Sequence, residues 1–307
     1  MTPTHTRPEP PGRLVDVGGY RLHLDCRGSG SPTVVFDGGT GDAGLTWILV
    51  QPDVATFTRA CAYDRAGLGW SDPSPKPRTA EVMVEEIRSL LEASESEPPY
   101  LMVAQSFGGI VARLFAHRFP RDVSGMVLVD SAHEEQFLRF PEAVRTSQQS
   151  MLEAQVQQFA GLRSMIEAGS FDSSILPVPP AFPPEAAEAY RTLVASGTTW
   201  LDTMVAELQA VEEAHAQVRG AQIRSLDDIP LVVLRHGKPI PSMPEMGIGS
   251  EDMDRYERTW QELQEELVGL SPRGKLVVAE ESGHMIHQEQ PELVVDAIRE
   301  VVEEVRR

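Results

Sequence analysis

The sequence predicts an α/β fold, with a mostly parallel eight-stranded sheet flanked by helices and a helical cap inserted before the last two strands. Three observations lead to this prediction. Short apolar runs, typical of buried strands, alternate with segments of helical periodicity along most of the chain. Helices of this length between strands imply a parallel sheet with crossover connections. One long stretch, 134–228, has helical character and no convincing apolar strand.

The composition restricts the kinds of partner. The chain of 307 residues carries a formal net charge of −19, which argues against binding to nucleic acid or anionic membrane surfaces because both would be repelled. No stretch approaches about eighteen consecutive apolar residues, the length of a membrane span. Residues 1–12, predicted to be a flexible tail, lack the apolar core of a signal peptide, so we expect a cytoplasmic protein.

The first elements are a hairpin and a buried strand. Residues 13–17 and 20–27 alternate apolar with polar side chains around Gly18-Gly19, which predicts two paired strands. Residues 33–37 form the next predicted strand, and Gly38-Gly39-Thr40-Gly41 follows its end. Glycines at this place let the backbone approach a ligand closely, and such a loop can present a free N–H to an oxyanion. Taken alone, the loop is more simply interpreted as a plain turn.

The two cysteines, Cys26 and Cys61, both fall in predicted strands. They fit reduced core residues better than a disulfide framework. The predicted fold makes their strands neighbours, so a bridge stays open as an alternative.

A glycine-rich loop follows the predicted strand 59–63. It begins at Asp64, contains two glycines and ends at Pro73. Asp64 is predicted to accept hydrogen bonds from backbone N–H groups of this loop, which is a structural role. Helices are predicted on either side of this region, over 47–57 and 79–91.

The segment Leu101-Met-Val-Ala-Gln-Ser106-Phe-Gly-Gly109 is central to the prediction. An apolar strand passes through a tight turn directly into an amphipathic helix, with Ser106 at the apex. The positions two before and two after the serine must be small because strand and helix approach there, and they hold Ala104 and Gly108. Such a turn exposes the serine Oγ and aims the Phe107 N–H at the same reacting atom. The alternative is a serine that only caps the helix, but a cap does not require a preceding apolar strand and small residues on both sides.

The carboxyl ends of parallel strands share one edge of a sheet, where ligands bind. Four residues that follow predicted strands are expected at that edge: Thr40, Asp64, Ser106 and Asp130. Residues 134–228, whose helices are split by a Pro-rich segment, are predicted to form a cap over it. The core domain would then comprise 13–133 and 229–307.

The C-terminal part supplies two candidate histidines. Strands are predicted at 229–235 and 275–279, with a helix over 253–267 between them. The last strand leads into Glu280-Glu-Ser-Gly-His284-Met-Ile-His287, and an amphipathic helix follows from Pro291.

These segments resemble four motifs of the α/β-hydrolase superfamily, in the family's order. Gly38-Gly39-Thr40-Gly41 resembles its His-Gly-x-x oxyanion loop, with Gly38 in place of the histidine. Asp64-Arg-Ala-Gly-Leu-Gly-Trp-Ser71 resembles its Asp-x-x-Gly-x-Gly-x-Ser loop. The serine turn resembles Gly-x-Ser-x-Gly, with Ala104 for the first glycine, and Ser-Gly-His284 before a Pro-Glu-Leu helix resembles the histidine loop.

The resemblance implies a role for each matching residue. Ser106 would be the nucleophile and His284 its general base. The N–H groups of Thr40 and Phe107 would form the oxyanion hole. His287 competes with His284, which is preferred because it follows Ser-Gly directly after the last strand.

The acidic partner of the histidine is predicted to be Asp130. Many relatives place this acid after the strand that follows the cap, but here that strand leads into Arg235-His-Gly-Lys-Pro without a carboxylate. Other relatives place it at the end of the strand after the serine helix, where Asp130 stands and would hold the imidazole tautomer. The alternatives are Glu134, Glu135, Glu245 and Asp252.

The resemblance implies a serine hydrolase that cleaves a carboxylic ester, or a related acyl bond, of a small and fairly apolar molecule through an acyl-enzyme. Haloalkane dehalogenases and epoxide hydrolases use aspartate at the turn, so Ser106 argues against both. Nucleotide-binding glycine motifs and zinc-ligand spacings are absent, and we expect neither cofactor nor metal. A thioesterase, lactonase or amidase, a ligand-sensing protein and a catalytically silent relative stay open, as does the oligomeric state.

Overall fold

The computed structural model describes residues 7–307. Eight strands form one sheet: β1 (Arg13–Asp16), β2 (Arg21–Arg27), β3 (Thr33–Asp37), β4 (Ala60–Tyr63), β5 (Tyr100–Gln105), β6 (Val123–Val129), β7 (Leu231–His236) and β8 (Gly274–Ala279). Their order is β1-β2-β4-β3-β5-β6-β7-β8. The pairs β1–β2 and β2–β4 are antiparallel, and all the others are parallel. The predicted fold class is therefore confirmed.

Ten α-helices accompany the sheet within residues 7–307. They are α1 (Gln51–Val54), α2 (Ala80–Ala93), α3 (Gly108–Arg118), α4 (Gln136–Arg139), α5 (Glu142–Glu167), α6 (Pro184–Ala195), α7 (Thr199–Ala221), α8 (Ser250–Val268), α9 (Ile286–Glu289) and α10 (Pro291–Val305). The central strands are buried on both faces, so successive side chains enter two different cores. Met102 packs with α2 and α3, whereas Leu101 and Val103 pack with α10.

The prediction of a single helix over 47–57 is wrong, because the helical segments there are shorter. The structure has a 3₁₀ turn at Gly44–Trp47 and then the short α1. Pro52 lies in the first turn of α1, where its missing N–H needs no partner. In a helix that began at Trp47, the same proline would lie in the interior and remove a hydrogen bond.

The Cys26 and Cys61 side chains form a disulfide, so the expectation of reduced thiols is wrong. The two residues are directly opposite each other in the β2–β4 ladder, with Cα atoms 4.0 Å apart. Directly opposed residues of an antiparallel pair bring their side chains together, which is the arrangement that a disulfide between β2 and β4 requires.

Asp64 has the predicted structural role. Its Oδ2 accepts a hydrogen bond from the N–H of Trp70 at 2.8 Å, within the same loop. Its Oδ1 accepts one from the N–H of Gly44 at 2.7 Å, which connects the loop to the segment after β3. Asp64 therefore organises two loops at the carboxyl edge of the sheet.

The segment predicted to form a cap, residues 134–228 (the cap segment), contains α4 to α7 and no strand, all within the described part of the chain. Helix α7 packs against α2 and α3 of the core. At its N-terminal end the Nε1–H of Trp200 donates to the carbonyl of Gly41 at 3.2 Å. Helix α7 thus contacts both the core helices and the loop that follows β3.

Residues 7–12 belong to the predicted tail, whose first six residues lie outside the described part of the chain. The Nε1–H of Trp70 donates to the carbonyl of Pro8 at 2.8 Å, and Arg7 donates to the carbonyl of Gly69. Across residues 7–307, none of the helices combines the length and the apolar character that a membrane crossing requires.

Candidate active site

Ser106 lies at the turn between β5 and α3, with a backbone φ of 50°. A left-handed conformation in a residue other than glycine costs about 1–3 kcal/mol and is concentrated at functional sites. The turn is held by the Ser106 carbonyl, which accepts hydrogen bonds from the N–H groups of Gly109 and Ala132. A Cβ at Gly108 would lie 2.6 Å from the Gly38 carbonyl oxygen, so this position requires glycine.

His284 and Asp130 are hydrogen-bonded at the same edge of the sheet. Nδ1 of His284 lies 2.6 Å from Oδ2 of Asp130, which directly follows β6. The aspartate is completely buried, whereas 40% of the His284 side chain is exposed. A carboxylate on Nδ1 keeps the proton there and leaves the Nε2 lone pair available as a base.

Asp130 has further partners that the sequence analysis missed. Its Oδ1 accepts hydrogen bonds from Nε1–H of Trp260 at 2.9 Å and from the His236 backbone N–H at 3.1 Å. The His236 ring is also bonded to it, with Nδ1 2.8 Å from Oδ2. Burial alone would raise the pKa of Asp130, but the hydrogen bonds from His236 and His284 hold it well below its ordinary value. Asp130 is therefore an ionised carboxylate at neutral pH.

Ser106 and His284, which both lie within the described residues, are not hydrogen-bonded to each other. Instead, Nε2 of His284 lies 3.2 Å from Nε2 of Gln105, the residue before the serine. The same amide also donates to the His284 carbonyl at 3.3 Å. Catalytic hydrogen bonds in unliganded enzymes are often formed only when substrate binds.

The loop after β3 leaves a backbone donor at Thr40. The N–H of Gly39 donates to Oδ2 of Asp42 at 3.1 Å, and that of Gly41 donates to Oε2 of Glu207 at 2.8 Å. Within residues 7–307, the N–H groups of Thr40 and Phe107 donate to no protein acceptor. Both donors expected to bind an oxyanion therefore lack an internal partner in the described chain.

A buried ionic cluster is hydrogen-bonded to the loop that follows β3. Arg65 donates to Asp37 Oδ1 at 2.6 Å, to the Gly38 carbonyl at 2.9 Å and to Glu207 Oε1 at 2.9 Å. All three charged side chains are buried. Glu207 belongs to α7, so the cluster connects the cap segment to the loop of Thr40. Arg65 could have been suspected from its place in the Asp64 motif, but nothing in the sequence pairs it with a residue so far along the chain.

Asp42 adds an acidic group beside the same loop. Burial raises the pKa of Asp42 to about 6, although the Arg65 charge and the Gly39 N–H act in the opposite direction.

The competing histidine is a core residue. His287 is fully buried in α9, its Nε2 lies 2.9 Å from Oγ1 of Thr46, and its ring packs 4.8 Å from that of Trp47. Burial lowers the pKa of His287 to about 3. It is therefore neutral at physiological pH and has no bond to Asp130.

The alternative acids lie elsewhere. Glu134 pairs with Arg113 at 2.5 Å, and Glu135 lies 3.7 Å from Arg139. Glu245 lies in the 3₁₀ turn Pro244–Met246, and Asp252 lies in the first turn of α8. Of the five carboxylates considered, Asp130 alone is hydrogen-bonded to His284 in the described chain.

A mostly parallel sheet with a serine on a strained strand-to-helix turn, and a histidine bonded to an aspartate at the same edge, defines the hydrolase class of α/β proteins. Residues 18–297 match the alpha/beta hydrolase family, and the chain belongs to that family. The expected superfamily is thereby confirmed, and family membership supports a hydrolase.

Individual relatives agree with this family. The chain is 27% identical to uncharacterized protein YqjL of Bacillus subtilis (strain 168) over 288 residues, 93% of this chain and 89% of the relative. A shorter match, 36% identical over 124 residues, covers 39% of this chain and 44% of 2-hydroxymuconate semialdehyde hydrolase from Pseudomonas sp. (strain CF600). A thermophilic esterase from Thermogutta terrifontis has the same fold, with a TM-score of 0.63 and 21% identity over 96% of this chain and 99% of that one.

Proposed function

We propose that the protein is a serine hydrolase that cleaves a carboxylic ester, or a related acyl bond, through an acyl-enzyme on Ser106. One observation carries the proposal. Ser106, in a strained backbone conformation, and the hydrogen-bonded His284–Asp130 pair lie at the same edge of the sheet. A serine hydroxyl is a weak nucleophile at neutral pH and needs such a base.

In the proposed mechanism, substrate binding displaces the Gln105 amide from Nε2 of His284. That nitrogen then takes the Ser106 proton as Oγ attacks the carbonyl carbon, and Asp130 stabilises the resulting imidazolium. The N–H groups of Thr40 and Phe107 bind the oxyanion. His284 next protonates the leaving group, and it activates a water molecule that hydrolyses the acyl-enzyme.

The proposed substrate is small and fairly apolar. The cap segment supports this, because Trp200 and Met204 of α7 lie against Gly41 beside the proposed oxyanion donor. The name of the Pseudomonas relative adds a semialdehyde to the candidates. A panel of p-nitrophenyl esters of increasing acyl length, a thioester, a lactone and 2-hydroxymuconate semialdehyde would separate these classes.

A fluorophosphonate probe tests the proposal without knowledge of the substrate. We expect one adduct per chain, located by mass spectrometry on Ser106, absent in Ser106→Ala and formed far more slowly in His284→Ala. If folded wild type forms no adduct, the proposed hydrolase activity is rejected and the ligand-sensing alternative is favoured. In a ligand-sensing protein, the Gln105 contact to His284 would be part of the unliganded state.

A further inference from the structure

His236 is a second histidine on the aspartate of the proposed triad. It is the last residue of β7, and only 3% of its side chain is exposed. Nδ1 lies 2.8 Å from Asp130 Oδ2, and Nε2 lies 3.0 Å from Oε2 of Glu257 on α8. Carboxylates only accept hydrogen bonds, so both ring nitrogens must carry protons. Burial disfavours this charge, but the two carboxylates raise the pKa of His236 to about 9.

The groups around His236 are two carboxylates, a tyrosine and the neighbouring cation Arg235. Asp130 faces the ring from the end of β6 and Glu257 from α8. Tyr256, also on α8, lies near both carboxylates, which together with burial raise the pKa of its phenol. Arg235 on the same strand donates to the backbone carbonyl of His236.

We propose that His236 and Glu257 are positioning residues, which hold the Asp130 carboxylate on His284 and set the lower pH limit of the reaction. This inference rests on the proposed function of Ser106. His236 ends β7, and Asp130 follows the neighbouring parallel strand β6, so the imidazolium of one strand end binds the carboxylate of the other.

The charges around Asp130 determine the direction in which the pH–rate profile shifts. The His236 imidazolium offsets part of the Asp130 charge, so a second imidazolium on the same carboxylate, at His284, is less favourable. If the His236 charge is removed, this repulsion is lost, and we expect the acid limb of the rate profile to move to higher pH.

Two variants remove the charge in different ways. His236→Asn keeps an amide N–H in the place of Nδ1 but cannot be protonated. Glu257→Gln leaves the histidine in place, keeps an acceptor for the N–H of Ile240, and removes the anion that stabilises the imidazolium. Glu262→Gln, an exposed glutamate on the same helix that pairs with Arg139, is the matched control.

The experiment measures the rate of fluorophosphonate labelling at Ser106 from about pH 5 to about pH 8, the range in which histidines titrate. We expect the acid limb to move up by about one pH unit in both variants, and to stay in place in Glu262→Gln. If His236→Asn fails to fold, Glu257→Gln makes the same test away from Asp130. Proton NMR of wild type should also show two ring N–H signals from His236 at neutral pH.

The outcomes separate the two proposals. Labelling that slows by the same factor at every pH, with the acid limb in place, would mean that the pair only supports the fold and would overturn this inference alone. Wild type that is not labelled at any pH would overturn the proposed function and this inference with it.

Discussion

Ser106 and Asp130 share a backbone feature that their side chains alone do not explain. Both directly follow adjacent parallel strands, and both have a positive φ, 50° for Ser106 and 42° for Asp130. This conformation turns the chain sharply at the strand end, so that each side chain is presented at the carboxyl edge. The serine could be predicted from the small residues around its turn. The aspartate could be predicted only from its place after a strand.

Asp130→Asn tests the acid of the proposed triad. An amide cannot hold the correct tautomer of His284, so we expect labelling of Ser106 to slow by about 10³-fold to 10⁴-fold at neutral pH. Glu134→Gln, which changes a carboxylate four residues away that pairs with Arg113, should retain most of the labelling rate. Equal losses in the two variants would contradict the assignment of Asp130.

His236 makes stability depend on pH in a definite direction. Its pKa is about 9 in the folded protein against an ordinary value of 6.5, so the folded state binds the proton more tightly. The resulting stabilisation is complete below pH 6.5 and is lost as the pH rises through about 9. We expect up to about 3 kcal/mol of the free energy of unfolding to disappear over this interval.

Urea unfolding at the two ends of that interval measures the effect. His236→Asn should lose less stability than wild type between them, because it has no proton to release. The same pH dependence in wild type and in the variant would show that other groups, not His236, are responsible.

At the scale of elements, the buried ionic cluster joins α7 to the loop after β3. Glu207 accepts from Arg65 and from the Gly41 N–H, one residue beyond the proposed oxyanion donor. The sequence predicted a helical cap, but it could not pair Glu207 with Arg65, because helical periodicity describes one helix and carries no information on distant contacts. A charged residue on the buried face of α7 was the one available signal.

Glu207→Gln tests this connection. Weakening a buried ion pair should lower the free energy of unfolding by about 3 kcal/mol. Loosening of the loop should slow labelling of Ser106 by about 10-fold, less than the loss of an oxyanion donor itself. Glu212→Gln, at an exposed position of the same helix, should change neither quantity. A loss of stability with an unchanged labelling rate would mean that the cluster serves the fold alone.

For the whole molecule, strands were more predictable than the contacts between them. Apolar runs located the strands β3 to β8, because a parallel sheet buries both faces of its central strands. The antiparallel strands β1 and β2 were located by their alternating pattern around Gly18-Gly19. The pairs that complete the site, His236 with Asp130 and Arg65 with Glu207, join residues separated by about a third to a half of the chain. The Cys26–Cys61 bridge is of the same kind, because it follows from the register of two strands and not from cysteine count.

That bridge should stabilise the molecule without affecting the chemistry. It joins β2 to β4 across a sequence separation of 35 residues, and a cross-link of this span contributes about 2–4 kcal/mol. It lies within the ladder and not at the carboxyl edge, where Ser106 and His284 lie. We expect the double variant Cys26→Ala/Cys61→Ala to unfold at lower urea concentration by this amount, with an unchanged labelling rate at Ser106. Dithiothreitol should destabilise wild type equally and leave the double variant unaffected, whereas wild type with two free thiols and unchanged stability would show that strand pairing alone holds the β1–β2 hairpin.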